Sequence, residues 1–206
     1  MLSVSALECV RGERRLFANL DFSVAPHTLL EVRGANGSGK TTLLRTLCGL
    51  HVPEGGTITW NAVDIRTLGE GYRERVAYLG HLNAVNDDLT PIENLQFAAR
   101  LAAVDAGTDD AAAALRWFGL ENFLHQPCKT LSQGQRRRVA LARLRLFSGK
   151  PLWILDEPFA ALDSAAFTLA QSLLASHLDA GGMAILTTHQ DLAINARHTL
   201  QIGLGT

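Results

Sequence analysis

The sequence predicts an α/β fold: a mostly parallel sheet, an antiparallel β layer at its N-terminal side and a helical subdomain inserted in the middle. Three observations carry that prediction. The apolar run LLEVR (29–33) ends in a glycine-rich loop and is followed by a helix-forming stretch. Two further apolar runs, PLWILD (151–156) and MAILTTH (183–189), lack alternation, as strands buried on both faces do. Between the halves lies an alanine-rich stretch, about 92–125, of helical composition.

The elements follow in order. Leu2, Val4 and Ala6, continuing to Glu8, alternate as a strand, and LFANLDFSV (16–24) is a second, closed by a turn at Pro26. After the glycine loop, KTTLLRTLCGL (40–50) predicts a helix stopped by Gly49. PEGG (53–56) is a turn before the strand TITW, and VAYLG (76–80) is another strand. Thr90-Pro91-Ile92-Glu93 marks a helix start, with Thr90 as N-cap, Pro91 in the first turn and Glu93 closing a capping box. The helices that follow break near Gly107. A helix over 133–147 carries Arg136, Arg137 and Arg138, expected to form a solvated face. A helix from about Ser164 to Ala180 and a last strand, LQIGLG, complete one domain over 1–206, with the helical subdomain at about 82–135.

Composition narrows the function classes. Of 206 residues, 47% are hydrophobic and 19% charged, which excludes a disordered chain. Nineteen basic residues against 20 acidic ones give a net charge of −1, so no electrostatic footprint for nucleic acid is expected. Cys9, Cys48 and Cys128 are scattered and form no CxxC pair; their spacing predicts neither a disulfide framework nor a zinc site, and suits a reducing compartment. The first residues lack the apolar core of a signal peptide, and no run of 18 apolar residues predicts a membrane span.

The chemistry begins with Gly34-Ala35-Asn36-Gly37-Ser38-Gly39-Lys40-Thr41, followed by Thr42. This is the G-x-x-x-x-G-K-[ST] pattern of a P-loop. Glycines let main-chain N–H groups turn inward around phosphate oxygens, and the helix N-terminus behind them adds positive potential. Lys40 is placed to reach β- and γ-phosphates and Thr41 to ligate Mg²⁺, so ATP and Mg²⁺ are the expected cofactors. The strand WILD ends in Asp156 and Glu157. Asp156 suits orientation of Mg²⁺, and Glu157 suits a general base beside the γ-phosphate.

Leu131-Ser132-Gln133-Gly134-Gln135 opens a helix, so the Ser132 hydroxyl and backbone N–H groups present a second phosphate-binding surface. Two chains facing each other bring both surfaces to one γ-phosphate more readily than one chain does. With this segment the sequence resembles the ATP-binding subunits of ABC transporters, whose signature is usually LSGGQ. The signature precedes Asp156 by about two dozen residues, Ala161-Leu162-Asp163 stands at the D-loop, and His189 follows the strand ILTT as the switch histidine. The resemblance covers nearly the whole chain. It implies an ATP hydrolase working as a head-to-tail homodimer on integral membrane subunits. Each composite site would join Lys40, Thr41, Asp156, Glu157 and His189 of one copy to Ser132, Gly134 and Gln135 of the other, with Asp163 near the junction.

Two positions depart from that pattern. His81 stands where the family has the Q-loop glutamine; a hinge role and a metal contact are both open to it. No aromatic residue occupies the usual adenine-stacking position, where Arg11 could stack through its guanidinium plane and Phe17 is the alternative. With these departures, the segments GANGSGKTTLLR, YLGH, DDLTPIENL, LSQGQRRR and TTHQ resemble the haem-exporter ATP-binding subunits of bacterial cytochrome c maturation. That likeness implies a peripheral position on the cytoplasmic face of the bacterial inner membrane and an indirect link to a periplasmic haem chaperone. A soluble ABC ATPase acting on DNA or ribosomes, or a small-molecule kinase, would leave the near-neutral charge or the LSQGQ segment without a use.

Overall fold

The computed structural model describes residues 1–194 and 196–205. Strands β1 (Leu2–Arg11) and β2 (Arg14–Val24) form an antiparallel hairpin. Strand β3 (Thr28–Gly34) feeds the glycine loop and helix α1 (Lys40–Leu47), after which Gly49 turns the chain with φ +71°. Strands β4 (Gly55–Trp60) and β5 (Val63–Asp64) return to the hairpin, giving a four-stranded sheet in the order β2-β1-β4-β5. Two single-turn helices, α2 (Ile65–Leu68) and α3 (Glu70–Arg73), lead into β6 (Val76–Leu79). Composition alone did not anticipate β5, α2 and α3, which are too short to carry a period.

Helix α4 (Pro91–Leu101) starts on the predicted capping box: Thr90 Oγ1 accepts from Glu93 N, and the Glu93 carboxylate accepts from Thr90 N. Helices α5 (Thr108–Trp117) and α6 (Gln133–Leu146) follow, and then β7 (Leu152–Asp156), α7 (Ser164–Asp179), β8 (Met183–Thr187) and β9 (His198–Leu204). The second sheet is parallel, in the order β6-β7-β8-β3-β9. Every residue of β7 and β8 is buried, as strands covered on both faces require. One apolar core joins α1 to the antiparallel sheet through Leu2, Leu7, Leu43 and Trp60. The other joins α4, α5, α6 and α7 to the parallel sheet around Leu95, Leu115, Phe118 and Trp153.

The alternation read into the first strand breaks at Ala6. Its backbone is left-handed at φ +48°, β1 bulges against both neighbours there, and the Asp21 carboxylate accepts from its N–H. Ala6 is therefore exposed, and the core positions resume at Leu7 and Cys9 instead of Ala6 and Glu8. Among the described residues, no helix is long and apolar enough to cross a membrane.

Candidate active site

The strand order sets β7, β8 and β3 side by side, so Asp156, Thr187 and Gly34 end on one edge of the parallel sheet. Ligands of open parallel sheets bind at that carboxyl edge. From Gly34 the loop needs its glycines. Gly37 and Gly39 are left-handed, with φ +80° and +102°. A Cβ on Gly34 would fall 2.6 Å from both Ser38 Oγ and the Leu204 carbonyl. Helix α1 has neither a side-chain N-cap nor an acid in its first turn, so its leading N–H groups face the loop. Lys40 Nζ donates to the carbonyls of Gly34 (2.7 Å) and Ala35 (3.1 Å), while Ala35, Asn36 and Gly37 lie exposed around it. Ser38 Oγ is shut off from solvent and has no hydrogen-bond partner among the described residues.

Asp156 is held on both carboxylate oxygens. Thr41 Oγ1, in the first turn of α1, donates to Oδ2 at 2.7 Å, and Thr187 Oγ1, at the end of β8, donates to Oδ1 at 2.7 Å. Asp156 and Thr187 face each other in register across β7 and β8. The same Thr187 oxygen accepts from Glu157 N at 2.8 Å. Thr42, next to Thr41, is half-buried and gives its carbonyl to Thr46 Oγ1.

Glu157 has a left-handed backbone, φ +47°, which costs a non-glycine residue on the order of 1 kcal/mol and persists only where its surroundings hold it. Thr187 holds its N–H, and Arg137 holds its carbonyl at 2.6 Å. Arg137 corrects the expected solvated arginine face: it is 3% exposed. From α6 it also donates to the carbonyls of Asp156 (3.1 Å), Pro158 (3.1 Å) and Gly80 (3.4 Å) and to Asn83 Oδ1 (3.0 Å). Burial pulls its guanidinium below the usual range, and the nearby charges of Asp156 and Glu157 oppose that pull. Its neighbours are tied down too: Arg136 reaches the Asp87 carboxylate at 2.6 Å, and Arg138 the Phe118 carbonyl at 3.2 Å.

The Glu157 carboxylate lies between two imidazoles. His189 Nε2 is 3.4 Å from Oε1, and His81 Nδ1 is 3.9 Å from Oε2. His81 also lines a cavity of about 440 Å³ together with Thr41, Tyr78 and Asn83. It therefore stands on the Thr41 side of the site, within reach of Glu157.

The signature segment is pre-shaped. Ser132 caps α6: its Oγ accepts from Gln135 N at 3.2 Å, and its N–H donates to Gln135 Oε1 at 2.8 Å. The cap uses the Gln135 amide oxygen and leaves its Nε2 donors and the Ser132 hydroxyl proton to donate. A Cβ on Gly134 would lie 2.9 Å from the Ala161 carbonyl, so the signature and D-loop segments touch within one chain. Asp163 caps α7, accepting from Ala166 N at 2.8 Å. Of the two residues expected to stack on adenine, Arg11 is exposed at the hairpin tip, and Phe17 is buried beside Gly39 and the core.

The residues fit the expected ligands. The inward-turned loop, the free helix terminus and the orphaned Ser38 hydroxyl match a polyphosphate. Thr41 and Asp156 offer an oxygen-only donor pair, the kind Mg²⁺ takes. Sequence reasoning missed Arg137 and Thr187. A buried arginine inside a charged run gives no local signal, but the Thr-Thr pair before His189 was visible at the end of an apolar strand.

Residues 17–160 match the ABC transporter family. The chain is 55% identical over 195 residues to a cytochrome c biogenesis ATP-binding export protein, CcmA, of Nitrosomonas europaea, covering 95% of this chain and 91% of the relative. It shares its fold with a putative ABC transporter ATP-binding protein from Pyrococcus furiosus, with a TM-score of 0.84 and 24% identity over 98% of this chain and 96% of that one. It also shares it with the dimeric ATP-binding cassette MJ0796 bound to ADP and Pi, with a TM-score of 0.81 and 23% identity over 92% and 88%.

Proposed function

The chain belongs to the ABC transporter family, and we propose that it is the ATP-hydrolysing motor subunit of the haem-export or haem-handover complex of bacterial cytochrome c maturation. The observation that carries the hydrolytic reading is the chain of hydrogen bonds Thr41–Asp156–Thr187–Glu157, which ties the helix behind the phosphate loop to the candidate base. The likeness to the Nitrosomonas protein supports the cytochrome c assignment.

ATP lays its phosphates in the loop from Gly34 to Thr41. Lys40 donates to β- and γ-phosphate oxygens from its present place at the loop's carbonyls. Thr41 and Asp156 would hold Mg²⁺, which neutralises charge on the phosphate oxygens. Glu157 takes the proton of a water aligned with the γ-phosphate, and His189 beside it meets the γ-phosphate. Catalysis is then positioning and electrostatics.

A second copy, arranged head to tail, supplies Ser132 and the N-terminus of α6 to the γ-phosphate. The free proton of Ser132 and the exposed position of that terminus support this reading. Integral membrane subunits take the groove between β6 and helices α4 and α6, a cavity of about 540 Å³ lined in part by the exposed Leu101. In this reading the chain sits on the cytoplasmic face of the inner membrane, with the haem chaperone reached through those subunits.

The test is capture of the tagged chain from detergent-solubilised bacterial membranes, followed by mass spectrometry and haem absorption spectra. Recovery of small integral membrane proteins with haem supports the proposal. Recovery of nucleic acid without membrane proteins refutes it.

A further inference from the structure

The cysteine spacing gave no reason to expect a metal, yet the fold assembles a mixed donor set away from the nucleotide loop. Cys9 on β1 and His51 and Glu54 in the turn after α1 each offer one ligand atom, and the three atoms lie within 4.8 Å of one another. The thiol is fully buried, the imidazole half-buried and the carboxylate exposed, so the cluster has a solvent side through which an ion can enter. Two further observations distinguish it from a chance gathering. His51 Nε2 is inaccessible to solvent and has no hydrogen-bond partner among the described residues, an expensive state for an imidazole nitrogen. The Glu54 carboxylate is already oriented, since Oε2 accepts from Val10 N at 2.8 Å, and the Glu54 N–H donates to the Glu8 carbonyl at 3.0 Å.

We propose that Cys9, His51 and Glu54 form a binding site for a borderline transition-metal cation, Zn²⁺ being the best match. One sulfur, one nitrogen and one oxygen donor suit Zn²⁺ and are foreign to Mg²⁺ and Ca²⁺. Three protein ligands leave a fourth tetrahedral position to water on the exposed side. Binding replaces the Cys9 thiol proton, which leaves to solvent, and changes no oxidation state. The site sits at the end of α1 remote from the phosphates, near Thr46, whose hydroxyl lies 3.5 Å from Cys9 Sγ. A bound ion therefore fastens the antiparallel sheet to the helix that carries Lys40 and Thr41.

Cobalt(II) reports this directly. The full chain, stripped with chelator and free of nucleotide, is titrated with Co²⁺ and watched for the near-ultraviolet thiolate-to-cobalt charge-transfer band. One equivalent is expected to bind with that band, and Zn²⁺ to displace it. Cys9→Ser removes the band, Cys48→Ser and Cys128→Ser keep it, and His51→Ala weakens Co²⁺ binding at least about tenfold. Asp156 and Thr41 cannot give the band, because they carry no sulfur. Absence of the band at saturating Co²⁺, or its survival in Cys9→Ser, overturns the proposal. Should Cys9→Ser fail to fold, the thermal midpoint decides. Zn²⁺ must raise it in the native chain and not in His51→Ala, whose altered side chain lies in a surface turn; an equal rise in both, or none in the native chain, sinks the site.

Discussion

His189 Nε2 stands 3.4 Å from Glu157 Oε1, on a glutamate whose backbone is held left-handed from both sides. That contact sets one carboxylate oxygen and one imidazole nitrogen side by side just past the carboxyl ends of β7 and β8. Glu157→Gln keeps the size of the side chain and removes its basicity. It is expected to leave ATP binding within about threefold of the parent and to lower turnover about 100-fold or more. Steady-state phosphate release with fluorescent-nucleotide titration checks both. Turnover within threefold of the parent removes Glu157 from the role of base.

Arg137 makes a sharper prediction, because its guanidinium is buried and bonded to backbone carbonyls and the Asn83 side chain. It binds the carbonyls on either side of the strained residue and reaches Gly80 and Asn83 next to His81. Arg137→Met leaves several buried carbonyls unpaired, and a loss of about 2–4 kcal/mol of stability is expected. Arg137→Lys keeps the charge but has three donors in place of the planar fork, so it recovers stability in part. If Arg137 positions Glu157, the lysine variant lowers kcat at least tenfold with KM for ATP little changed. A lysine variant with parental kcat assigns Arg137 to stability alone.

What the chain revealed in advance, and what it hid, divides along sequence separation. The phosphate loop, the Thr90 capping box, the Ser132 helix start and the strand-end acids Asp156 and Glu157 are contiguous patterns whose physics is local. Arg137 reads as surface because three successive arginines on a helix ordinarily face water; only the packing of α6 under the end of β7 buries the middle one. Thr187 gains its role from a register that pairs it with Asp156. The bulge at Ala6 rests on the Asp21 side chain from the neighbouring strand, and the Cys9–His51–Glu54 cluster spans two elements. Each of these relationships joins residues more than about ten positions apart, so local pattern shows at most one of the partners.

His177 predicts an acid weakness. Its ring stacks on Trp153 with centroids 3.8 Å apart, Nε2 contacts the Met183 carbonyl, and Gly182 lies so close that a Cβ there would fall 2.3 Å from the ring. Burial lowers its pKa from 6.5 to about 4. The unfolded chain therefore takes up a proton below pH 6.5 that the folded chain refuses until about pH 4. Stability is complete above pH 6.5 and falls as pH drops toward 4, by on the order of 3 kcal/mol from this group. His177→Gln cannot titrate and is expected to flatten that part of the curve. Urea unfolding from pH 7.5 to 4.5 reads the difference, and parallel curves for parent and variant dismiss His177 as its source.

With ATP bound as proposed, the residues available for adenine predict weak base selection. Phe17 is buried beneath Gly39 and packs in the core, so its face is closed to a base. Arg15 is engaged by Glu8 at 2.9 Å, whereas Arg11 lies exposed at the hairpin tip. A guanidinium plane stacks on any purine and reads none of the edge groups that separate adenine from guanine. Discrimination needs a site built to hydrogen-bond one base edge. The ratio of kcat/KM for ATP over GTP is therefore expected to stay below about tenfold. Arg11→Ala should raise KM for both nucleotides about threefold to tenfold, with kcat nearly unchanged, because stacking holds ground state and transition state alike. A preference for ATP above about a hundredfold, or a loss in Arg11→Ala confined to one nucleotide, would show that another group reads the base.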